Sequence, residues 1–115
     1  MFSESRVLCP QLKSKIMTAE QAAAFISDGD TVGMSGFTGA GYPKSLPRAL
    51  ADRAGAEHKA GRPFQINLWT GASTAPELDG VLAEAQGINM RLPFQSDPTC
   101  RKQINNGQMH YIDIH

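Results

Sequence analysis

The chain opens on about fifteen residues without a clear hydrophobic period, which read as an arm at residues 1–15 ahead of a folded unit at 16–115. Thr18-Ala19-Glu20-Gln21 then fits a capping box, in which the Thr18 hydroxyl and the Gln21 amide satisfy each other's backbone N–H groups. The spacing predicts a helix with Ala22, Ala23, Phe25 and Ile26 on its apolar face and Gly29 as its stop. A short apolar run at 31–34 reads as a buried strand. Leu46, Leu50 and Ala54 recur every four residues, so a helix runs from the Pro43–Pro47 region to His58 or Lys59. Residues 64–69 alternate apolar and polar, as a strand does. A helix over 77–85 follows, with Leu78, Val81 and Leu82 inward, then a strand at 88–92. Asp97 and Pro98 form an N-cap and first-turn pair for a helix ending near Asn105 or Asn106, and Gly107 stops it. A last strand is predicted over 110–114.

Helix and strand therefore alternate with short connections. That pattern predicts the α/β class: an open, mainly parallel sheet with helices on both faces. In such sheets ligands bind beyond the carboxyl ends of the strands. Three strand-to-helix loops, 35–44, 70–76 and 93–97, meet there; the first two are rich in Gly, Ser and Thr, and the third carries Ser96. Helix N-termini carry unpaired N–H groups and partial positive charge, so the implied ligand group is an anion, a carboxylate or a phosphate.

Composition narrows the function. The 115 residues allow one domain, and 41% hydrophobic residues suit a packed core. Eleven basic and eleven acidic residues cancel, which speaks against non-specific nucleic-acid binding. No apolar run approaches a membrane span, and the N-terminus lacks the apolar stretch of a secretory signal, so a cytoplasmic protein is expected. Cys9 and Cys100 form no CxxC pair and read as reduced thiols. His58, His110 and His115 share no ligand spacing, and no metal is predicted.

The loop Ser35-Gly36-Phe37-Thr38-Gly39-Ala40-Gly41-Tyr42-Pro43 fits neither nucleotide fingerprint. Its glycines run GxxGxG rather than GxGxxG, and the next strand ends in Leu68-Trp69-Thr70 without an acidic residue. Lys44-Ser45 stands two positions too late for a P-loop. What remains is a loop whose glycines let backbone approach a ligand closely. Trp69 reads as core or interface packing and Lys44 as a solvated first-turn lysine. Arg91 alternates out of an apolar strand and is expected at the surface or against a missing domain. Arg101 and Lys102 read as an exposed helix face.

Four motifs carry a resemblance. They are the glycine loop through Lys44, Thr70-Gly71-Ala72-Ser73-Thr74-Ala75-Pro76-Glu77-Leu78-Asp79-Gly80, Leu92-Pro93-Phe94-Gln95-Ser96-Asp97-Pro98, and Ile104-Asn105-Asn106-Gly107. In order and spacing they resemble the amino-terminal part of the acetyl-CoA hydrolase/transferase family, which includes acetate and succinate CoA-transferases of the class I type. The resemblance runs from about Thr18 to His115 and is nearer to the bacterial branch than to the fungal mitochondrial one, on the run from Ala72 to Gly80.

The resemblance implies a CoA-transferase-like Rossmannoid fold, an incomplete first domain, a missing second domain and a homodimer in a longer protein. It implies coenzyme A as a substrate, carried as acyl-CoA, with no bound cofactor, and acetate or succinate as the small carboxylate. A glutamate of the second domain attacks the acyl-CoA, and a mixed anhydride and a glutamyl-CoA thioester follow. None of Glu4, Glu20, Glu57, Glu77 or Glu84 lies in that nucleophile motif, so no catalytic residue is assigned here. An arginine that helps hold the carboxylate also comes from further on. This portion is implied to supply the carboxylate side of the site, through Ser73 of the Gly71-Ala72-Ser73 turn and Ser96. Gly36, Phe37, Gly39 and Gly41 are expected alongside. The residues alone leave a second reading open, a stand-alone anion-binding α/β module without chemistry.

Overall fold

The computed structural model describes residues 6–114, so the first five residues of the expected arm, and His115, lie outside the described residues. The arm holds one short exposed helix, α1 (Pro10–Lys13), which the pattern did not announce. Helix α2 (Ala19–Ala23) begins with the capping box: Thr18 Oγ1 accepts from Gln21 N at 3.1 Å, and Gln21 Oε1 accepts from Thr18 N at 2.9 Å. It stops earlier than its apolar period suggests. Phe25, expected on the buried face, stands 77% exposed beyond the helix end. The carbonyls of Ala23 and Ile26 accept from the Arg53 guanidinium, a cation placed where a helix end carries partial negative charge.

The remaining elements are β1 (Thr31–Gly33), α3 (Leu46–Lys59), β2 (Ile66–Trp69), a π-helical turn (Pro76–Gly80) that runs into α4 (Val81–Glu84), β3 (Ile88–Leu92), α5 (Pro98–Asn105) and β4 (His110–Tyr111). The four strands form one parallel sheet in the order β1-β2-β3-β4. The last strand covers two of the five positions expected to be extended.

The α/β class and the parallel sheet stand. Helices were expected on both faces, but among the described residues they gather on one. With strands in sequential order, right-handed crossovers place every connecting helix on the same side. Accordingly α2 packs on α3, α3 on α4, and α4 on α5. The core lies beneath them. Leu50, Ala54, Ile66, Leu68, Leu78, Leu82 and Ile88 are essentially inaccessible, each large one contributing about 1.5–3 kcal/mol relative to exposure. The opposite face carries a polar row: Asn67 donates to Thr31 Oγ1 at 3.3 Å, and Asn89 donates to Asn67 Oδ1 at 2.9 Å. No helix among the described residues is long and apolar enough to cross a membrane.

Candidate functional site

The carboxyl ends of β1, β2 and β3 deliver three loops that are stitched together by their backbones. Thr38 N is shared between the carbonyls of Ala72 and Ser73, both at 2.9 Å. Ser73 N donates to Phe94 O at 2.9 Å, and Thr70 N to Leu92 O at 3.1 Å. The glycine loop folds back on itself, with Phe37 and Ala40 exchanging N–H···O bonds and Ser35 Oγ donating to Gly41 O.

This stitching turns two serines toward each other. Ser73 Oγ lies 3.1 Å from Ser96 Oγ, although 23 positions separate them in the chain. Ser73 has φ +45°, a left-handed conformation that costs a non-glycine residue about 1–2 kcal/mol. Such outliers persist only where the surroundings over-determine them. Beside this pair lies a cleft of about 190 Å³, lined by Ser73, Thr74, Ala75, Pro76, Asp79, Ser96, Asp97 and Pro98. That is below the roughly 300–1,000 Å³ of sites for drug-sized ligands, so it suits a small group. Larger hollows beside α2 are lined by residues such as Ile16, Met17 and Phe25 and bring no paired hydroxyls together.

The glycine residues serve a different purpose from the serines. Gly36 packs against the turn after β2, where its missing Cβ would touch Thr74 Cγ2 at 2.9 Å, and Gly71 faces Gly36 from the other side. Both lie outside the cleft lining, as do Phe37, Gly39 and Gly41. Phe37 is 61% exposed at the loop tip, and Lys44 places its ammonium 3.0 Å above the Tyr42 ring. Trp69, expected in packing, is 46% exposed.

The start of α5 in this region has its N–H groups already engaged. Asp97 Oδ2 accepts from Thr99 N and Cys100 N at 3.0 and 3.1 Å, so the start of α5 is capped by the protein's own carboxylate. Thr74 N donates to Asp79 Oδ2 at 2.8 Å. The Ser73 and Ser96 hydroxyls are the paired side-chain donors this cleft displays.

Arg91 corrects the sequence reading most sharply. It is fully buried, and its Nε and Nη2 reach Asp79 Oδ1 and Oδ2 at 2.9 and 3.3 Å. Thr74 Oγ1 donates to the same carboxylate at 2.6 Å, and Arg91 Nη1 donates to Leu92 O. A register irregularity explains the reversal. Ile66 pairs with Ile88, but Asn67 pairs with Met90, so β3 carries one extra residue and its side-chain phase flips. Arg91 then falls opposite Leu68 on the buried side. Alternation alone predicts the opposite face. Gln95, also buried, was missed as well; its Oε1 accepts from Asp97 N at 2.8 Å and braces the loop that carries Ser96.

The family model of the acetyl-CoA hydrolase/transferase N-terminal domain matches residues 2–115. The chain belongs to this family. It is 46% identical over 86% of its length to the propanoyl-CoA:succinate CoA transferase of Escherichia coli, and 40% identical over 98% to the succinyl-CoA:acetate CoA-transferase of Clostridium kluyveri. The acetyl-CoA hydrolase of Schizosaccharomyces pombe shares 35% identity over 96%. The chain spans about one fifth of the length of each of these family members. The crystal structure of RipA from Yersinia pestis overlays 86% of the chain with a TM-score of 0.56 at 21% identity, which shows a shared fold, and the chain covers 24% of it.

Proposed function

We propose that the chain is the amino-terminal portion of an acyl-CoA:carboxylate CoA-transferase or acetyl-CoA hydrolase, and that its cleft receives the small carboxylate. The observation that carries this reading is the Ser73–Ser96 pair, two hydroxyls 3.1 Å apart at the strand ends of a family domain. A carboxylate oxygen bridging the pair from the cleft side, in place of their mutual bond, accepts a charge-assisted hydrogen bond from each hydroxyl, among the stronger kind. The cleft volume admits acetate, or one end of succinate. Acyl-CoA is the other substrate, and the nucleophilic glutamate and further carboxylate-holding groups belong to a second domain outside these residues. The longer protein is a cytoplasmic homodimer in this reading, and residues 1–15 are an arm that leads into the domain.

Nuclear magnetic resonance titration of the chain with acetate tests the site. Amide shifts confined to the neighbourhood of Ser73 and Ser96 are expected. Shifts spread over the surface, or none, overturn the assignment. Incubation with acetyl-CoA and succinate is expected to leave the CoA distribution unchanged, because the chain lacks the nucleophile; turnover that a point mutation in this chain abolishes would show that the chemistry is complete within it.

A further inference from the structure

A cleft that takes an anion should not present carboxylates, yet Asp79 and Asp97 both line this one. Asp97 is spent on the first turn of α5. Asp79 is 1% exposed and accepts four bonds: two from Arg91, and one each from the amide and hydroxyl of Thr74. A buried ion pair is weak evidence for stability, because a well-packed apolar pair of the same volume serves as well. Its position suggests a second use. Thr74 adjoins Ser73, and the Leu92 carbonyl that accepts from Arg91 Nη1 also accepts from Thr70 N. Arg91 and Asp79 therefore hold both ends of the turn that aims the Ser73 hydroxyl.

We propose that Arg91 and Asp79 are positioning residues of the cleft: Asp79 fixes Thr74, and so Ser73, while Arg91 masks the Asp79 charge from the incoming carboxylate. This rests on the carboxylate reading above. Without Arg91, a buried carboxylate in the cleft wall faces a second negative charge, and like charges brought together across a desolvated contact are strongly unfavourable.

The test compares acetate with acetamide, its neutral isostere, in titrations of the chain at matched ionic strength. Arg91→Met is expected to weaken acetate about tenfold or more and acetamide far less, since charge repulsion acts on the anion alone. The double substitution Arg91→Met/Asp79→Asn removes the charge but keeps an acceptor for Thr74, and it is expected to restore acetate binding. Asp79→Asn alone leaves the buried Arg91 guanidinium without its carboxylate, and it is expected to raise the affinity for acetate relative to that for acetamide. A purely structural role predicts equal losses for both ligands and no rescue by Asp79→Asn, and that result overturns the masking role. A wild-type chain that binds acetate, with Asp79→Asn losing acetate as much as or more than acetamide, overturns masking but leaves the carboxylate reading intact. A wild-type chain that binds neither ligand overturns both.

Discussion

Gly71 faces the carbonyl oxygen of Gly36 so closely that a Cβ on Gly71 would stand 2.3 Å from it. No backbone oxygen tolerates that approach, and the neighbour is main chain that cannot rotate aside. The contact joins the loop after β1 to the turn after β2, two segments also tied through Thr38 N.

Gly71→Ala should therefore separate the two loops. Overpacking of this kind typically costs about 1–3 kcal/mol. Denaturant unfolding is expected to show that loss, and amide exchange at Thr38 is expected to accelerate. By contrast Gly41→Ala meets open space, though its φ of +73° still strains a side chain. A Gly71→Ala chain as stable as the parent would mean that the loops separate readily, and the rigid placement of Ser73 would fall with it.

These glycines show how far the chain could be read without coordinates. The capping box at Thr18, the Asp97-Pro98 start of α5 and the four-residue period of α3 are local, so they stand in the sequence and in the structure alike. The strand-end loops were legible for the same reason. Arg91 was not, because its phase depends on an extra residue in β3 that appears only when β2 pairs with it. The meeting of Ser73 with Ser96 followed from family resemblance; spacing alone carries no sign of it, since the two loops touch only after the sheet forms. The sheet face that carries Thr31, Asn67 and Asn89 is left bare by strand order, which alternation leaves undetermined.

The two cysteines should behave oppositely. Cys9 is exposed, whereas Cys100 is fully buried with its Sγ 3.6 Å from Asp79 O. Burial pushes the Cys100 thiol far up, and the Asp79 and Asp97 charges add to the effect. A thiol-specific reagent under native conditions is expected to modify Cys9 promptly and Cys100 only on unfolding. The unfolded thiol ionises near about 8.5 while the folded one stays protonated, so the unfolded state releases a proton first. This contribution to stability is whole below that pH and is lost as pH rises above it, by at most about 1.4 kcal/mol per unit. Cys100→Ala should flatten the slope between about pH 8.5 and 10 relative to the parent, whatever it does to stability at neutral pH. Parallel pH profiles for the two chains would rule out a buried, protonated thiol.

Asp97 offers a prediction of the opposite sign to most losses. Its carboxylate lines the cleft while it caps α5. Asp97→Asn keeps an acceptor for the Thr99 and Cys100 amides and removes a negative charge beside the proposed anion. Stability is expected to change by only a few tenths of a kcal/mol, since asparagine caps about as well as aspartate. Acetate affinity is expected to rise. Asp97→Ala, which loses the cap, is expected to cost about 0.5–2 kcal/mol in stability. Weaker acetate binding by a stable Asp97→Asn chain would place the anion elsewhere.

Ser73 combines a hydroxyl with a strained backbone, and two substitutions separate the contributions. Ser73→Ala removes the hydroxyl and keeps a Cβ at φ +45°. Ser73→Gly removes the hydroxyl and relieves the strain, worth about 1–2 kcal/mol in the folded state, against a loss of about 0.5–1 kcal/mol from the freer unfolded chain. The glycine variant is therefore expected to be as stable as the parent or slightly more so. The alanine variant keeps the strain and loses only the 3.1 Å contact with Ser96, so it is expected to be slightly less stable. Both leave the carboxylate one donor short. A hydrogen bond to a charged group is worth about 1.5–3 kcal/mol, or on the order of 10- to 150-fold in affinity. The two variants should thus lose acetate binding to a similar degree while their melting temperatures diverge. Calorimetric melting and acetate titration of the same three proteins read the two effects separately. If acetate affinity instead follows stability, with Ser73→Gly binding like the parent, the hydroxyl is not a ligand and Ser73 serves only to shape the turn.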